Sequence, residues 1–173
     1  MTDVTDQTFE ADVIARSEQV PVVVDFWAEW CGPCRMLTPV LEREVETRDG
    51  QIELAKVDID ANPGLADRFG VRGIPAVKAF RRGHVVREFV GAQPPQRVAE
   101  FLDALVAPSG AEELLAEGED YEQVLERFLG EISEASPERR DEIRKQMLAV
   151  FEELGPEHPL TVRYRRQLAT ALF

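Results

Sequence analysis

Apolar and polar residues follow two kinds of pattern in the amino-terminal part of the chain. A continuous apolar run at residues 20–27 and alternating apolar positions at residues 52–59 each predict a buried strand. Between them, apolar residues at helical spacing predict a helix over residues 34–47, which Pro39 interrupts and should kink. The order strand, helix, strand is typical of a β-α-β unit.

Shorter elements are predicted beyond this unit. A short helix should begin near Asn62, and two runs at residues 76–82 and 84–90, joined at one glycine, predict an antiparallel hairpin. Residues 94–105 then place four apolar side chains on one helical face. Residues 1–107 are therefore predicted to form an α/β domain, in which a mixed central sheet is flanked by helices.

The remainder of the chain is helical in pattern. After a predicted linker at residues 108–110, apolar stripes run through residues 121–132, 137–154 and 159–172. A shorter predicted helix with two apolar residues precedes these stripes. Together the four segments predict two helical hairpins of about 30 residues each. Residues 111–173 are therefore expected to form a small all-α domain.

This tail resembles a tetratricopeptide unit in the spacing of six residues: Leu114, Gly118, Tyr121, Val124, Phe128 and Pro137. Two such repeats are fewer than the roughly three that a free-standing solenoid needs. We therefore expect the tail to bury its apolar stripes on the first domain, on a second copy of the chain or on a partner.

The composition narrows the range of functions. A net charge of −13 disfavours nucleic acid as a partner, because phosphate backbones attract Lys and Arg. No apolar stretch approaches the roughly 20 residues of a membrane span, so no membrane association is expected. The first 13 residues lack the basic and apolar regions of a secretory signal, and a cytoplasmic location is the expectation.

The chain has two cysteines, Cys31 and Cys34, in one C-x-x-C segment. This pattern indicates either a redox dithiol or part of a metal site. Zinc needs about four ligands, and the two histidines, His84 and His158, lie far from the cysteines and from each other in sequence. We therefore expect a redox centre and no metal.

The position of this pair suggests how it would react. It follows a predicted buried strand and stands at the start of a predicted helix, whose N-terminus favours thiolate over thiol. Cys31 lies at that N-terminus and is expected to be the attacking nucleophile. Cys34, one turn further on, can resolve the mixed disulfide, while Pro33 stiffens the turn between them.

Residues 24–34, Val-Asp-Phe-Trp-Ala-Glu-Trp-Cys-Gly-Pro-Cys, resemble the active-site segment of the thioredoxin family at nearly every position. Two further segments resemble the substrate groove of that family: Gly73-Ile74-Pro75 its cis-proline loop, and Val90-Gly91-Ala92 the adjoining loop. The resemblance covers about residues 1–107 and implies the thioredoxin fold. Gly32 and Pro33 between the cysteines imply a reducing centre rather than a strong oxidant.

The resemblance also implies roles for individual residues. Asp25 would be a buried acid that exchanges a proton with Cys34 through a water, and Lys56 would moderate the pKa of that acid. Pro75 would expose the backbone of its loop to an extended substrate peptide, and Trp30 would cap the site.

Interpretations without a function also stay open for the same residues. The cysteine pair could be vestigial, Asp25 could be a structural acid whose hydrogen bonds are satisfied, and Lys56 could be an ordinary surface lysine. If the family roles hold, the protein is a protein-disulfide reductase that binds no cofactor and receives electrons from an NADPH-dependent thioredoxin reductase.

The segments at residues 149–154 and 155–173 resemble the C-terminus of chaperedoxins, which are bacterial co-chaperones that join a thioredoxin domain to tetratricopeptide-like helices. That resemblance implies holdase activity toward unfolding or oxidised clients and hand-over to chaperonin and Hsp70. The helical part is shorter than is usual in that family, and both cysteines are kept. Three functions are therefore weighed: a disulfide reductase, a redox-active co-chaperone, and a reductase whose tail only dimerises or stabilises it.

Overall fold

The computed structural model describes residues 2–107, 110–115 and 119–172. The chain divides into two compact units, Met1–Ala107 and Pro108–Phe173. Five strands form the sheet of the first unit: β1 Thr2–Asp3, β2 Val22–Trp27, β3 Glu53–Asp58, β4 Ala76–Arg81 and β5 His84–Val90. Their order is β1-β3-β2-β4-β5, with β1, β3 and β2 parallel and β4 antiparallel to both of its neighbours. The mixed sheet is therefore confirmed.

Three α-helices flank this sheet: α1 Gly32–Glu46, α2 Pro63–Arg68 and α3 Pro95–Val106. Helix α1 begins two residues earlier than predicted, because Pro33 occupies a first-turn position where its missing N–H removes no helical hydrogen bond. The helix continues past Pro39. An irregular helical segment, Glu10–Ala15 followed by Arg16–Glu18, precedes β2, and neither it nor the two-residue β1 was predicted.

Strand β2 is buried on both faces, as its continuous apolar run predicts. Val22, Val24 and Phe26 pack in a cluster with the N-terminal segment and α2. Val23 packs on the opposite face in a cluster with α1 and α3. Because strand side chains alternate, Asp25 lies on the same face as Val23, opposite α1.

The predicted hairpin of β4 and β5 is confirmed by a two-residue turn. Arg82 and Gly83 both have positive φ, 50° and 76°, which matches the twist of the flanking strands. Buried Ser17 holds this turn: its carbonyl accepts from the Arg82 N–H and its hydroxyl from the Gly83 N–H, both at 2.8 Å.

The second unit contains the helices α4 Tyr121–Ile132, α5 Pro137–Leu154 and α6 Pro159–Leu172, after a 3₁₀ turn at Glu112–Leu114. Asp120 caps α4 in a reciprocal capping box with Gln123, and Ser136 caps α5 through the Arg139 N–H. Gly155 ends α5 with a φ of 85°.

The described part of this unit therefore holds three α-helices and one 3₁₀ turn rather than the four helices of two hairpins. Gly118 and linker residues 108 and 109 lie outside the described residues. Among the residues described, none of the helices combines the length and apolarity that a membrane crossing requires.

The second unit has a hydrophobic core of its own. Its fully or nearly fully buried side chains come from all three helices and include Val124, Leu125, Ile143, Phe151 and Tyr164. The expectation that the tail must bury its stripes elsewhere was wrong, because the three helices pack against one another and bury them within the unit.

Candidate active site

The two cysteines form a disulfide at the start of α1, with an S–S distance of 2.07 Å. Cys31 is the N-cap residue of the helix, in an extended backbone conformation, and its Sγ accepts a hydrogen bond from the Cys34 N–H at 3.2 Å. Both residues are buried, with Cys31 3% and Cys34 1% exposed. Exposure therefore does not distinguish the two sulfurs, whereas their positions on the helix do.

A helix N-terminus carries unsatisfied N–H groups and a partial positive charge. Cys31 Sγ occupies the place where a capping oxygen usually sits, so a negative charge on this sulfur would be stabilised by the Cys34 N–H and by the helix. Cys34 lies inside the first turn. This geometry favours the thiolate at Cys31, whose role as the attacking nucleophile stays a prediction.

Asp25 is a fully buried carboxyl on β2. Its Oδ2 accepts a hydrogen bond from the Thr38 hydroxyl on α1 at 2.8 Å, and its Oδ1 has no hydrogen-bond partner within the described chain. The pKa of Asp25 is raised to about 6, mainly by burial, against the opposing effects of the Thr38 hydrogen bond and of Lys56; nearby Glu42 makes a smaller contribution to the rise. The result is a carboxyl that can gain and lose a proton near neutral pH.

Lys56 lies on β3, directly opposite Asp25 in the register of the two parallel strands. Its Nζ sits 4.6 Å from the centroid of the Trp27 ring, and the residue is half-buried. The cation is therefore held against an aromatic face beside Asp25, where its charge favours the ionised carboxylate.

Trp30, in the predicted groove, is largely exposed, with 66% of its surface accessible. Its Nε1–H donates to Asp60 Oδ2 at 2.8 Å, which ties the indole to the loop that follows β3. Within residues 2–107, the large exposed apolar residues are Trp30, Met36 and Val90.

The predicted cis-proline loop is present: the peptide bond between Ile74 and Pro75 is cis. The carbonyl of Pro75 accepts a hydrogen bond from the Gly91 N–H at 2.7 Å. Gly91 has a φ of 89°, a conformation that favours glycine. Gly73 lies nearby, since a Cβ at this position would be 3.7 Å from the Val90 side chain. The structure thus brings together the two groove segments that the sequence singled out.

The sheet also explains how these segments reach the disulfide. Strand β2 runs toward Cys31 and pairs antiparallel with β4, which begins directly after Pro75. The end of β2 and the start of β4 therefore share one edge of the sheet. The candidate groove residues Gly32, Pro33, Gly73, Ile74, Pro75 and Gly91 all belong to loops or helix ends at that edge.

Three residues around this site were missed or undervalued from the sequence. Thr38 bonds Asp25, Asp60 holds Trp30, and Trp27 faces Lys56. Of these three, only Thr38 could have been found from the sequence, because it stands four residues after Cys34 and so lies on the same helix face. The other two contacts depend on how distant segments meet.

No metal site competes with this interpretation in the described parts of the chain, where no cluster of three or more His, Cys, Asp or Glu side chains is placed to hold an ion.

Comparison with known proteins gives matches for both units. A family model described as Thioredoxin matches residues 1–104, and one described as Tetratricopeptide repeat matches residues 102–173. The thioredoxin of Streptomyces clavuligerus is 53% identical over 94 residues, which are 54% of this chain and 85% of that protein. The thioredoxin of Pseudomonas aeruginosa is 43% identical over 104 residues, 60% of this chain and 94% of that protein. Thioredoxin 1 of Synechococcus elongatus is 44% identical over 100 residues, with shares of 58% and 92%.

Proposed function

This chain belongs to the thioredoxin family and has thioredoxin-type redox function. From that premise we propose that the chain reduces protein disulfides. We also propose that its helical unit adds a co-chaperone role. The observation that carries the redox part is the position of Cys31 Sγ as the N-cap of α1, where it accepts the Cys34 N–H. The N-cap position stabilises the thiolate form of Cys31 more than that of Cys34.

The proposed reaction starts from the reduced dithiol. The Cys31 thiolate attacks one sulfur of a substrate disulfide, a mixed disulfide forms, and the other substrate sulfur leaves as a thiolate that takes up a proton. Cys34 then loses its proton and attacks Cys31 Sγ. The bond between Cys31 and the substrate breaks, the intramolecular disulfide forms, and the second substrate thiolate leaves. Two electrons pass from the dithiol to the substrate.

Asp25 is the proposed acceptor of the Cys34 proton. It is buried, it bonds Thr38 one helical turn from Cys34, and one of its carboxyl oxygens has no hydrogen-bond partner among the described residues. Burial holds its pKa at about 6, so at pH 7 it is mostly ionised and able to accept a proton. Lys56, held on the Trp27 ring, is proposed to limit the rise of that pKa.

The proposed substrates are extended, disulfide-bearing segments of other proteins. Exposed Trp30, Met36 and Val90 provide apolar contacts, and the loop before β4 offers its backbone beside buried Pro75. Thioredoxin reductase, drawing on NADPH, is the proposed electron source, and the cytoplasm is the proposed setting because its thiol pool keeps such dithiols reduced.

Insulin reduction tests the redox proposal. The intact protein, with NADPH and a thioredoxin reductase, should reduce insulin disulfides, and Cys31→Ser should abolish turnover. Cys34→Ser should instead trap the mixed disulfide, because the resolving thiol is missing. Absence of turnover by the intact protein would contradict the proposal.

The co-chaperone proposal is supported by the tetratricopeptide match of residues 102–173. Helices α4, α5 and α6 bury their stripes in their own core, which limits the apolar surface available to clients. The large exposed apolar residues of this unit, within its described part, are Leu148 and Val162. We therefore favour a role in which the unit docks to folded chaperones, chaperonin or Hsp70, over one in which it coats unfolded clients extensively.

Light scattering of a heat-unfolded client separates these roles. If the unit docks to chaperones and does not coat clients, full-length Cys31→Ser and residues 1–107 with the same substitution should suppress aggregation equally, and stronger suppression by the full-length variant would contradict that preference. Equal suppression by both proteins would show that the helical unit does not hold clients.

Sedimentation at micromolar concentration tests the remaining possibility, that the helical unit only dimerises the chain. A clean monomer would contradict that possibility.

A further inference from the structure

We propose that Thr38 is a positioning residue for disulfide resolution, in which its hydroxyl fixes one oxygen of the Asp25 carboxyl and leaves the other free to take the Cys34 proton. This inference rests on the proposed function of Asp25. It assigns to Thr38 a role that its place in an ordinary amphipathic helix does not suggest.

The first observation is the arrangement along α1. Cys34 and Thr38 are four residues apart in the helix, so their side chains lie on one face, one turn from each other. That face is directed at β2, because the Thr38 hydroxyl reaches Asp25 Oδ2 at 2.8 Å. The resolving cysteine and the donor therefore lie on the face of α1 that is directed at β2.

The second observation is how the hydroxyl is used. In helices, a threonine hydroxyl commonly bonds the carbonyl one turn earlier. Here it donates to the carboxyl of another element instead. Because Asp25 Oδ1 has no partner within the described chain, the Thr38 bond is the contact that fixes the orientation of the carboxyl.

The other groups facing Asp25 cannot replace this contact. From β3, Lys56 acts on Asp25 through its charge, while its Nζ is placed over the Trp27 ring. From β4, the residue in register with Asp25 is Val77, which offers no polar side chain. From α1, Glu42 carries a like charge. Thr38 supplies the directed hydrogen bond.

A donor to a carboxylate stabilises the ionised form. Removing it should raise the pKa of Asp25 above its present value of about 6, by about one pH unit. The ionised fraction at pH 6 would then fall about fivefold, and the rate of Cys34-dependent resolution should fall with it. At pH 8 the effect should nearly vanish.

The test compares Thr38→Val, which keeps the shape and removes the donor, with Thr38→Ser, which keeps the donor. Carboxyl NMR of full-length oxidised protein labelled at aspartate gives the pKa of Asp25. The pH profile of insulin reduction gives the kinetic effect. Thr38→Ala serves as the donor-free variant if the valine variant does not fold.

We expect the valine variant, and not the serine variant, to raise the pKa of Asp25 and to move the acidic limb of the pH profile by the same amount. In an Asp25→Asn background, Thr38→Val should not move the profile, because Thr38 acts through Asp25.

An unchanged pKa in the donor-free variants would overturn the inference about Thr38. A raised pKa without a moved profile would overturn it as well. The proposed role of Asp25 is judged separately: Asp25→Asn alone must remove the acidic limb of the profile, and if it does not, the proposed function of Asp25 fails irrespective of Thr38.

Discussion

Asp25 places a carboxyl in a largely apolar layer on one face of the sheet. Val23, Leu37 and Leu41 pack in that layer, and burial there disfavours a charge. The carboxyl therefore holds its proton to about pH 6 in the folded protein, whereas its ordinary pKa is 3.8. Thr38 and Lys56 keep it from rising further. Ionising Asp25 near neutral pH therefore costs stability.

The sign of this effect on stability follows from proton binding. Between pH 3.8 and about pH 6, the folded state holds the Asp25 proton and the unfolded state has lost it. Stability contributed by this group therefore falls as the pH rises through that interval. The interval of about two pH units corresponds to about 3 kcal/mol. The loss is complete above pH 6.

We predict that Asp25→Asn stabilises the oxidised protein at pH 7 by up to about 3 kcal/mol, since an amide needs no ionisation. Guanidinium unfolding, followed by tryptophan fluorescence at pH 4 and pH 7, measures this. The gain should be small at pH 4. Asp67→Asn, which removes an exposed carboxylate on α2, is the matched control and should leave the pH dependence of the wild-type protein unchanged. A gain equal at both pH values would contradict the assignment.

At the scale of elements, the second unit depends on the contacts of α4, α5 and α6 with one another. Each helix contributes a buried stripe, and the caps at Asp120, Ser136 and Gly155 define where α4 and α5 start or end. Leu125 on α4 is fully buried, whereas Leu148 on α5 is 42% exposed. Two leucines on adjoining helices thus have opposite surroundings.

We predict that Leu125→Ala lowers the free energy of unfolding of the helical unit by about 2–5 kcal/mol, because it leaves a cavity in the core. Leu148→Ala should cost well under half as much. Thermal denaturation followed by circular dichroism at 222 nm compares them. Equal losses from both variants would show that the stripe is not buried as described.

At the scale of the whole molecule, each unit has its own core. The described residues of the first unit enclose two apolar clusters, one on each face of its sheet, and those of the second unit enclose one. The spectroscopic probes divide the same way: both tryptophans lie in residues 1–107 and both tyrosines in residues 108–173. The two units can therefore be followed separately.

We predict that residues 1–107 fold alone and retain the insulin reductase activity of the intact chain within about a factor of two, because the disulfide, Asp25 and the groove loops all belong to that unit. Tryptophan emission and turnover of the fragment check this. A fragment that aggregates or loses more than tenfold in activity would show that the helical unit is needed for the redox centre.

The sequence by itself determined the elements and the chemistry of the pair. Apolar periodicity is a property of neighbouring residues, so it located β2, α1 and the three helices of the second unit to within a few residues. The C-x-x-C spacing and its place after a buried strand are equally local. Cys31 and Cys34 can therefore be identified as a redox pair from their immediate neighbours along the chain.

Tertiary structure decided what depends on contacts between distant segments. The bond from Thr38 to Asp25 and the placement of Lys56 over Trp27 need particular registers between elements. The apolar stripes of the tail required a partner, but the pattern could not show that α4, α5 and α6 serve as partners for one another. Periodicity identifies which face of a helix is buried, and only packing decides what covers it.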